Sequence, residues 1–230
     1  MRELCLDTET TGLDPRSGDR VIEIAVVEMV NKVKTGNVFH TYINPRREVP
    51  QEAFNIHGIS TTFLKDKPVF DHIAQKFLDF LEGGTLVIHN AAFDLKFLNY
   101  ELTLLGLPAL DTTKVVDSLK IARQKFPGAP ASLDALCRRF AIDLSKRTKH
   151  GALLDAELLC EVYIELMGGA QTGFGFDAAK IEAKRIELEK SASAKNKNIL
   201  PKRDFPVSED DLKLHQEFVT KHIKGNFWGY

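Results

Sequence analysis

The sequence predicts an α/β fold: a mixed central sheet flanked by helices, with an extended, partly helical C-terminal tail. Three observations predict it. Apolar, β-branched runs and helical periodicities interleave over residues 1–170 of the 230, as a sheet with crossover helices requires. The first three strand candidates follow one another through short connections, which points to a mixed sheet and not a purely parallel one. After Gly168-Gly169 the chain becomes highly charged, with few large apolar residues until Phe227-Trp228, so the remainder lacks the material for a core of its own.

The elements follow in order. Leu4-Cys5-Leu6 centres a strand over residues 3–7, and Val21-Ile22-Glu23-Ile24-Ala25-Val26-Val27 a buried strand over 21–29. A third strand over 38–43 ends at Asn44-Pro45. Pro50-Gln51-Glu52-Ala53-Phe54 opens a short helix with proline near its start. Phe70, Ile73, Ala74, Phe77, Leu78 and Leu81 recur at helical spacing, and Gly83-Gly84 ends that helix. Leu86-Val87-Ile88 is a short buried strand. Phe93, Phe97, Leu98, Leu102 and Leu105 mark a second amphipathic helix that stops at Gly106. Val115-Val116 is a further strand running into Asp117-Ser118, and residues 133–140 and 152–166 read as helices. In the tail, a Lys/Glu/Ala-rich run over 178–195 and an amphipathic stretch over 212–223 have helical character.

Composition bounds the function. Hydrophobic residues are 43% and charged residues 27%, ordinary for a globular protein. No apolar run approaches the ~18 residues of a membrane span, and Met1-Arg2-Glu3-Leu4 lacks a signal-peptide core, so no membrane association is expected. Three cysteines without a C-x-x-C pair argue against disulfides and zinc, and for a reduced cytoplasmic protein. A net charge of −1 is not that of a dedicated nucleic-acid binder. Any grip on a phosphate backbone must be local or use bound metal.

The chemistry concentrates in three acidic segments. In Asp7-Thr8-Glu9-Thr10-Thr11-Gly12, strand alternation puts Asp7 and Glu9 on one face. Two carboxylates there repel and resist desolvation, and a hard divalent cation is the simplest neutraliser. Solvated strand-end residues or turn caps are the plainer alternative. In His89-Asn90-Ala91-Ala92-Phe93-Asp94 and His150-Gly151-Ala152-Leu153-Leu154-Asp155, the acid opens a helix, where the helix dipole alone would favour it. Five residues on a helix would separate His150 from Asp155 by roughly 140°, so His150 must lie on the preceding loop and curl back. Four acids on three elements, with a loop histidine, can converge on one site.

These segments resemble, in order, the three motifs of the DEDDh exonuclease superfamily, whose fold resembles ribonuclease H. Phe54-Asn55-Ile56-His57-Gly58-Ile59, Ser132-Leu133-Asp134-Ala135-Leu136-Cys137 and Ser145-Lys146-Arg147-Thr148 extend the resemblance across residues 1–170, toward the proofreading exonucleases of bacterial replicative DNA polymerases. The resemblance implies a 3′→5′ exonuclease that removes mispaired 3′-terminal nucleotides of DNA with two divalent cations, Mg²⁺ or Mn²⁺. Asp7, Glu9, Asp94 and Asp155 would be the metal ligands and His150 the general base. Asp7 would be shared between the ions, Glu9 and Asp155 would complete one, and Asp94 would serve the other. Near the substrate, Asp7, Glu9, Thr10 and Gly12 would meet the terminal nucleotide, Glu52 and His57 its sugar or base, and His89 and Phe93 the pocket wall. Asp117 is a possible further ligand, but its place after a strand favours a structural role. A free-standing DEDDh ribonuclease of RNA maturation or oligonucleotide clearance shares the same catalytic set and is the alternative.

The tail distinguishes the two. Gln171-Thr172-Gly173-Phe174-Gly175-Phe176 is similar to the peptides by which replication proteins bind the beta sliding clamp, with Gln171 as polar head and Phe174 and Phe176 as apolar anchors. The end of the chain, with Phe227 and Trp228, resembles the family's segment that docks on the polymerase's catalytic alpha subunit. The expected organisation is an exonuclease domain over 1–170, a clamp-binding peptide over 171–176, a partly helical linker over 177–205 and a polymerase-binding tail over 206–230. A further small subunit is a possible additional partner.

Overall fold

The computed structural model describes residues 1–145, 147, 149–169 and 207–222. The chain divides into two compact units, Met1–Gly175 and Phe176–Tyr230. The first is built on a five-stranded sheet of order β3-β2-β1-β4-β5, with β1 (Arg2–Thr10), β2 (Val21–Val30), β3 (Val33–Tyr42), β4 (Thr85–Ile88) and β5 (Val115–Asp117). Around it lie α1 (Gln51–His57), α2 (Thr61–Leu64), α3 (Phe70–Leu81), α4 (Ala91–Leu104), α5 (Ser118–Lys125), α6 (Leu133–Arg139) and α7 (Ala152–Leu166). β1, β2 and β3 form an antiparallel meander, while β4 and β5 run parallel to β1. The sheet is therefore mixed, as the short early connections predict.

Alternation along β1 sorts the core. Leu4 and Leu6, with Ile24 and Val26 of β2, face Phe77 of α3 and Phe97 and Leu98 of α4. Cys5, with Ala25, Val27 and Met29, faces Ala156, Leu159, Cys160 and Tyr163 of α7. The other side of α7 packs Leu158, Val162 and Leu166 against Ala122 of α5 and Leu136 and Cys137 of α6. Helix α7 is thus apolar on two sides and central to the unit. Burying each such Leu or Val contributes roughly 1.5–3 kcal/mol, so this packing fixes α7 firmly against β1. Beyond Cys5 the same face of β1 switches from apolar to acidic, at Asp7 and Glu9.

Three elements differ from the sequence pattern. β3 begins at Val33, not 38, because Lys34-Thr35-Gly36-Asn37 shows no apolar alternation. Its first half is exposed and is held by Thr35 Oγ1 and Asn37 Nδ2, each donating to Glu28 Oε2 at 2.7 Å. Helix α2 is a four-residue element capped by Ser60, whose Oγ accepts from Phe63 N at 3.1 Å. Helix α5 is capped by Asp117, whose carboxylate accepts from the amides of Leu119 and Lys120.

In the second unit the described segment is a helix, Glu209–His222, with Leu212, Leu214 and Phe218 exposed. It starts three residues before the amphipathic stretch because Ser208 Oγ accepts from Asp211 N at 3.2 Å and so caps it. The segment 171–176, the run 178–195, and Phe227 and Trp228 lie outside the described residues. Among the described residues no helix is long and apolar enough to cross a membrane.

Candidate active site

The site forms where β1 and β4, parallel to each other, reach their carboxyl ends. In a sheet wound by crossovers, this is where loops leave a crevice. Asp7 and Glu9 stand on the α7 face of β1. After β4 the chain turns at Asn90, which takes a left-handed conformation (φ 69°) and starts α4 at once. That places Asp94 in the first turn, where Thr8 Oγ1 donates to Asp94 Oδ1 at 2.7 Å. Helix α7 begins under Glu23, whose Oε2 accepts from Ala152 N at 3.1 Å, and one turn later carries Asp155. His150 lies on the loop before α7, and its amide donates to Ile56 O at 3.3 Å. Its ring curls back, with Nδ1 3.2 Å from Asp155 Oδ2. Donor atoms of Glu9, His150 and Asp155 lie within 4.8 Å of one another.

The four carboxylates do not share one electrostatic environment. Asp7 is pushed well above the usual range by burial, and further by Asp94, Glu9 and Asp155 around it. Glu9 is pushed up to about 8 by burial, then by Asp155 and by Glu23, which stands opposite it across the sheet. Asp94 is pushed up to about 7 by burial, against the hydrogen bond from Thr8. Asp155 goes the other way. Burial would raise it, but the hydrogen bonds from Arg147, with His150 beside it, hold it below its ordinary value.

Arg147 was only part of a matching segment in the sequence, and the structure gives it a definite place. Its Nε and Nη2 each donate to an oxygen of Asp155 at 2.6 Å. Its Nη1 donates to Asp134 Oδ1 at 2.6 Å, and Nη2 lies 2.8 Å from His150 Nδ1. No local signal marks this arginine, because its partners come from α6, α7 and its own loop. Glu23 and Thr8 are likewise additions. Glu23 interrupts the apolar run over residues 21–27, and that interruption was the available clue.

A cavity of about 530 Å³ opens here, walled by Asp7, His89, Asp134, Arg147, His150 and Asp155 among others. Burial is the first cause that raises Asp7, Glu9 and Asp94, and at Asp7 and Glu9 the charges of the surrounding acids add to it. All-oxygen, acidic donors of this kind fit a hard divalent cation and disfavour zinc or copper.

The remaining sequence-singled residues fall as follows. Thr10 Oγ1 donates to Gly12 O at 2.6 Å, shaping the turn after β1. A Cβ on Gly12 would lie 2.2 Å from Asp19 Oδ2, so only glycine admits that carboxylate. His57 is buried at the end of α1. Its Nδ1 accepts from Ile59 N at 2.9 Å, and Nε2 has no hydrogen-bond partner. Glu52 is exposed in the first turn of α1. His89 contacts Ser118 Oγ through Nδ1 at 2.9 Å. Phe93 packs on Phe97, ring centroids 5.1 Å apart, and is not part of the cavity wall. Asp117 Oδ1 accepts from Leu119 N at 3.0 Å and Asn90 N at 3.3 Å, a structural role that ties α5 to the β4–α4 turn. Gln171, Phe174, Phe176, Phe227 and Trp228 lie outside the described residues.

A mixed sheet with four acids and a loop histidine at its carboxyl edge is the arrangement expected of a metal-dependent nuclease. The model of the family described as Exonuclease matches residues 4–163. The DNA polymerase III subunit epsilon of Rickettsia conorii is 49% identical over 229 residues, covering 97% of each chain. The protein of the same name from Escherichia coli K12 is 53% identical over 182 residues, covering 76% of this chain and 74% of the other. Among solved structures, Exonuclease X in complex with 5′ overhanging duplex DNA superimposes with a TM-score of 0.56 at 25% identity, over 72% of this chain and 90% of the other. The nuclease domain of 3′hExo, a DEDDh member bound to rAMP, gives 0.62 at 18% identity, over 72% and 91%, a likeness of fold. The chain belongs to the exonuclease family and, within it, to the DNA polymerase III epsilon subunits. It is a metal-dependent nuclease.

Proposed function

We propose that this chain is the 3′→5′ proofreading exonuclease of a bacterial replicative DNA polymerase, removing mispaired 3′-terminal nucleotides from DNA. The observation that carries the reading is the convergence of Asp7, Glu9, Asp94 and Asp155 from β1, α4 and α7 beside His150, in a chain about half identical to epsilon subunits along nearly its whole length. When bound, two divalent cations, Mg²⁺ or Mn²⁺, would supply Lewis-acid stabilisation of the charge that builds on the phosphoryl oxygens.

The chain's own residues do the rest. Asp7, Glu9, Asp94 and Asp155 would hold the ions, with Asp7 placed centrally among the other acids. His150 Nε2 takes the proton of the attacking water, while Nδ1, 3.2 Å from Asp155 Oδ2, donates there and so leaves Nε2 its lone pair. Thr10 and Gly12 present backbone at the turn, Glu52 and His57 approach the terminal nucleotide from α1, and His89 forms the far side. Removal of any terminal nucleotide requires contacts to sugar, phosphate and ring face, not to base edges.

The same reading assigns residues 1–170 to the exonuclease domain and 171–176 to a beta-clamp peptide through Gln171, Phe174 and Phe176. Residues 177–205 are a linker. Residues 206–230 bind the polymerase alpha subunit, with Phe227 and Trp228 as anchors. The exposed Leu212, Leu214 and Phe218 of the tail helix support a segment that docks. Tethering raises the local concentration of nuclease at the primer end, in the cytoplasm.

The test is Mg²⁺-dependent digestion of a 3′-mispaired DNA primer beside an RNA oligomer of the same sequence. The reading predicts rapid shortening of the DNA from its 3′ end. RNA cleaved far faster than DNA would assign the chain to RNA turnover instead.

A further inference from the structure

Arg147 is the feature of the site that the proposed reaction does not use. Its side chain is 8% exposed, and a guanidinium stays protonated, so it is a permanent positive charge set among the ligands. We propose that Arg147 is an internal competitor of the divalent cation: it holds Asp155 and His150 in the ion-free protein and gives up Asp155 when the cation arrives, keeping Asp134 as its anchor.

Three features of the geometry carry this. The guanidinium engages both oxygens of Asp155 at 2.6 Å, a fork-to-fork pair that fills the in-plane positions of the carboxylate. An oxygen of that carboxylate also lies within 4.8 Å of ligand atoms of Glu9 and His150, close enough for one ion to be shared, so guanidinium and cation seek the same negative charge. Asp134 supplies a second carboxylate through Nη1 at 2.6 Å. Releasing Asp155 therefore does not strand a buried, unpaired charge, which would be strongly unfavourable. Finally, Nη2 lies 2.8 Å from His150 Nδ1. A neutral imidazole that accepts at Nδ1 carries its proton on Nε2 and has no lone pair there for a water proton. With the guanidinium withdrawn, Nδ1–H can donate to Asp155 Oδ2, which already lies 3.2 Å from Nδ1 with the guanidinium in place, and Nε2 is freed. One arginine thus withholds a ligand and the base together, and Arg147 acts as a positioning residue through both.

The inference rests on Asp155 being a ligand and adds a regulator of that ligand. It is tested by Mn²⁺ binding to the full chain, read from the free-ion paramagnetic resonance signal. Arg147→Met should tighten binding by about tenfold, the worth of a charged hydrogen-bonded pair. Asp134→Asn, which leaves Asp155 as the guanidinium's sole carboxylate, should weaken binding. In the Arg147→Met background the Asp134 change should have little further effect. Equal or weaker binding by Arg147→Met would overturn the proposal and make Arg147 an orienting partner of Asp155. Should Arg147→Met fail to fold, the ¹⁵N shifts of His150 in the ion-free wild type decide. A proton on Nε2 is expected, and a proton on Nδ1 overturns the proposal. Asp155→Asn separates the two levels. Unchanged Mn²⁺ binding would remove Asp155 from the ligand set, whereas weakened binding without tightening by Arg147→Met would overturn the competition alone.

Discussion

The two halves of the acidic site are neutralised in different ways. On the β1–α4 side, Asp7, Glu9 and Asp94 lie together with a single hydroxyl bond, Thr8 to Asp94, and all three are pushed toward their protonated forms. On the α7 side, Asp155 is paired with an arginine and a histidine and stays ionised. One half is organised to receive a cation and the other already holds one of its own. Burying like charges is tolerable in a fold only if something discharges them; here a guanidinium does so at Asp155, while burial pushes the other three acids toward protonation.

Substitutions probe the contrast in descending order. Asp7→Ala removes the acid at the centre of the unpaired half and should abolish cleavage. Activity within about tenfold of wild type would remove Asp7 from the ligand set. His150→Ala, on the paired half, should lower turnover by about 10²–10⁴ while leaving Mn²⁺ binding largely intact. A parallel loss of Mn²⁺ affinity would make His150 a ligand and not a base.

The next test is pH. Glu9 titrates near 4.5 in an open chain and is raised to about 8 in the fold, and Asp94 is raised from 3.8 to about 7. A raised carboxyl favours the ion-free fold below its unfolded value, and that advantage is lost as pH climbs through the folded value. The ion-free protein should therefore lose this contribution between about pH 4 and pH 8, and a fixed Mn²⁺ concentration should raise Tm more at pH 8 than at pH 6. Equal increments would show that the unpaired half is ionised without metal. The smallest effect belongs to Thr8→Val. Losing one hydrogen bond of about 1 kcal/mol should raise Asp94 further and weaken Mn²⁺ binding a few-fold at neutral pH, with little change above pH 9.

Much of this was legible in the sequence, for a physical reason. Asp7 and Glu9 continue a strand whose period is fixed by Leu4-Cys5-Leu6, so their shared face follows from pleat geometry alone. The helix Ala152–Leu166 is apolar on two sides and could only be buried, which placed Asp155 at its start. What stayed hidden was long-range. Arg147 takes its meaning from Asp134 and Asp155, and the exposed first half of β3 is held by Glu28, neither of which leaves a local pattern. Helix α5 carries too few apolar residues to show a period and depends on the Asp117 cap.

The central claim is that the β1–α4 carboxylates are protonated until metal displaces the protons. Calorimetric titration of the full chain with Mn²⁺ at pH 7, in two buffers of different ionisation enthalpy, measures it directly. The account predicts net release of about one proton or more per chain, shrinking as pH rises past the value of Glu9. A binding enthalpy independent of buffer would mean that no proton is displaced, and would contradict it.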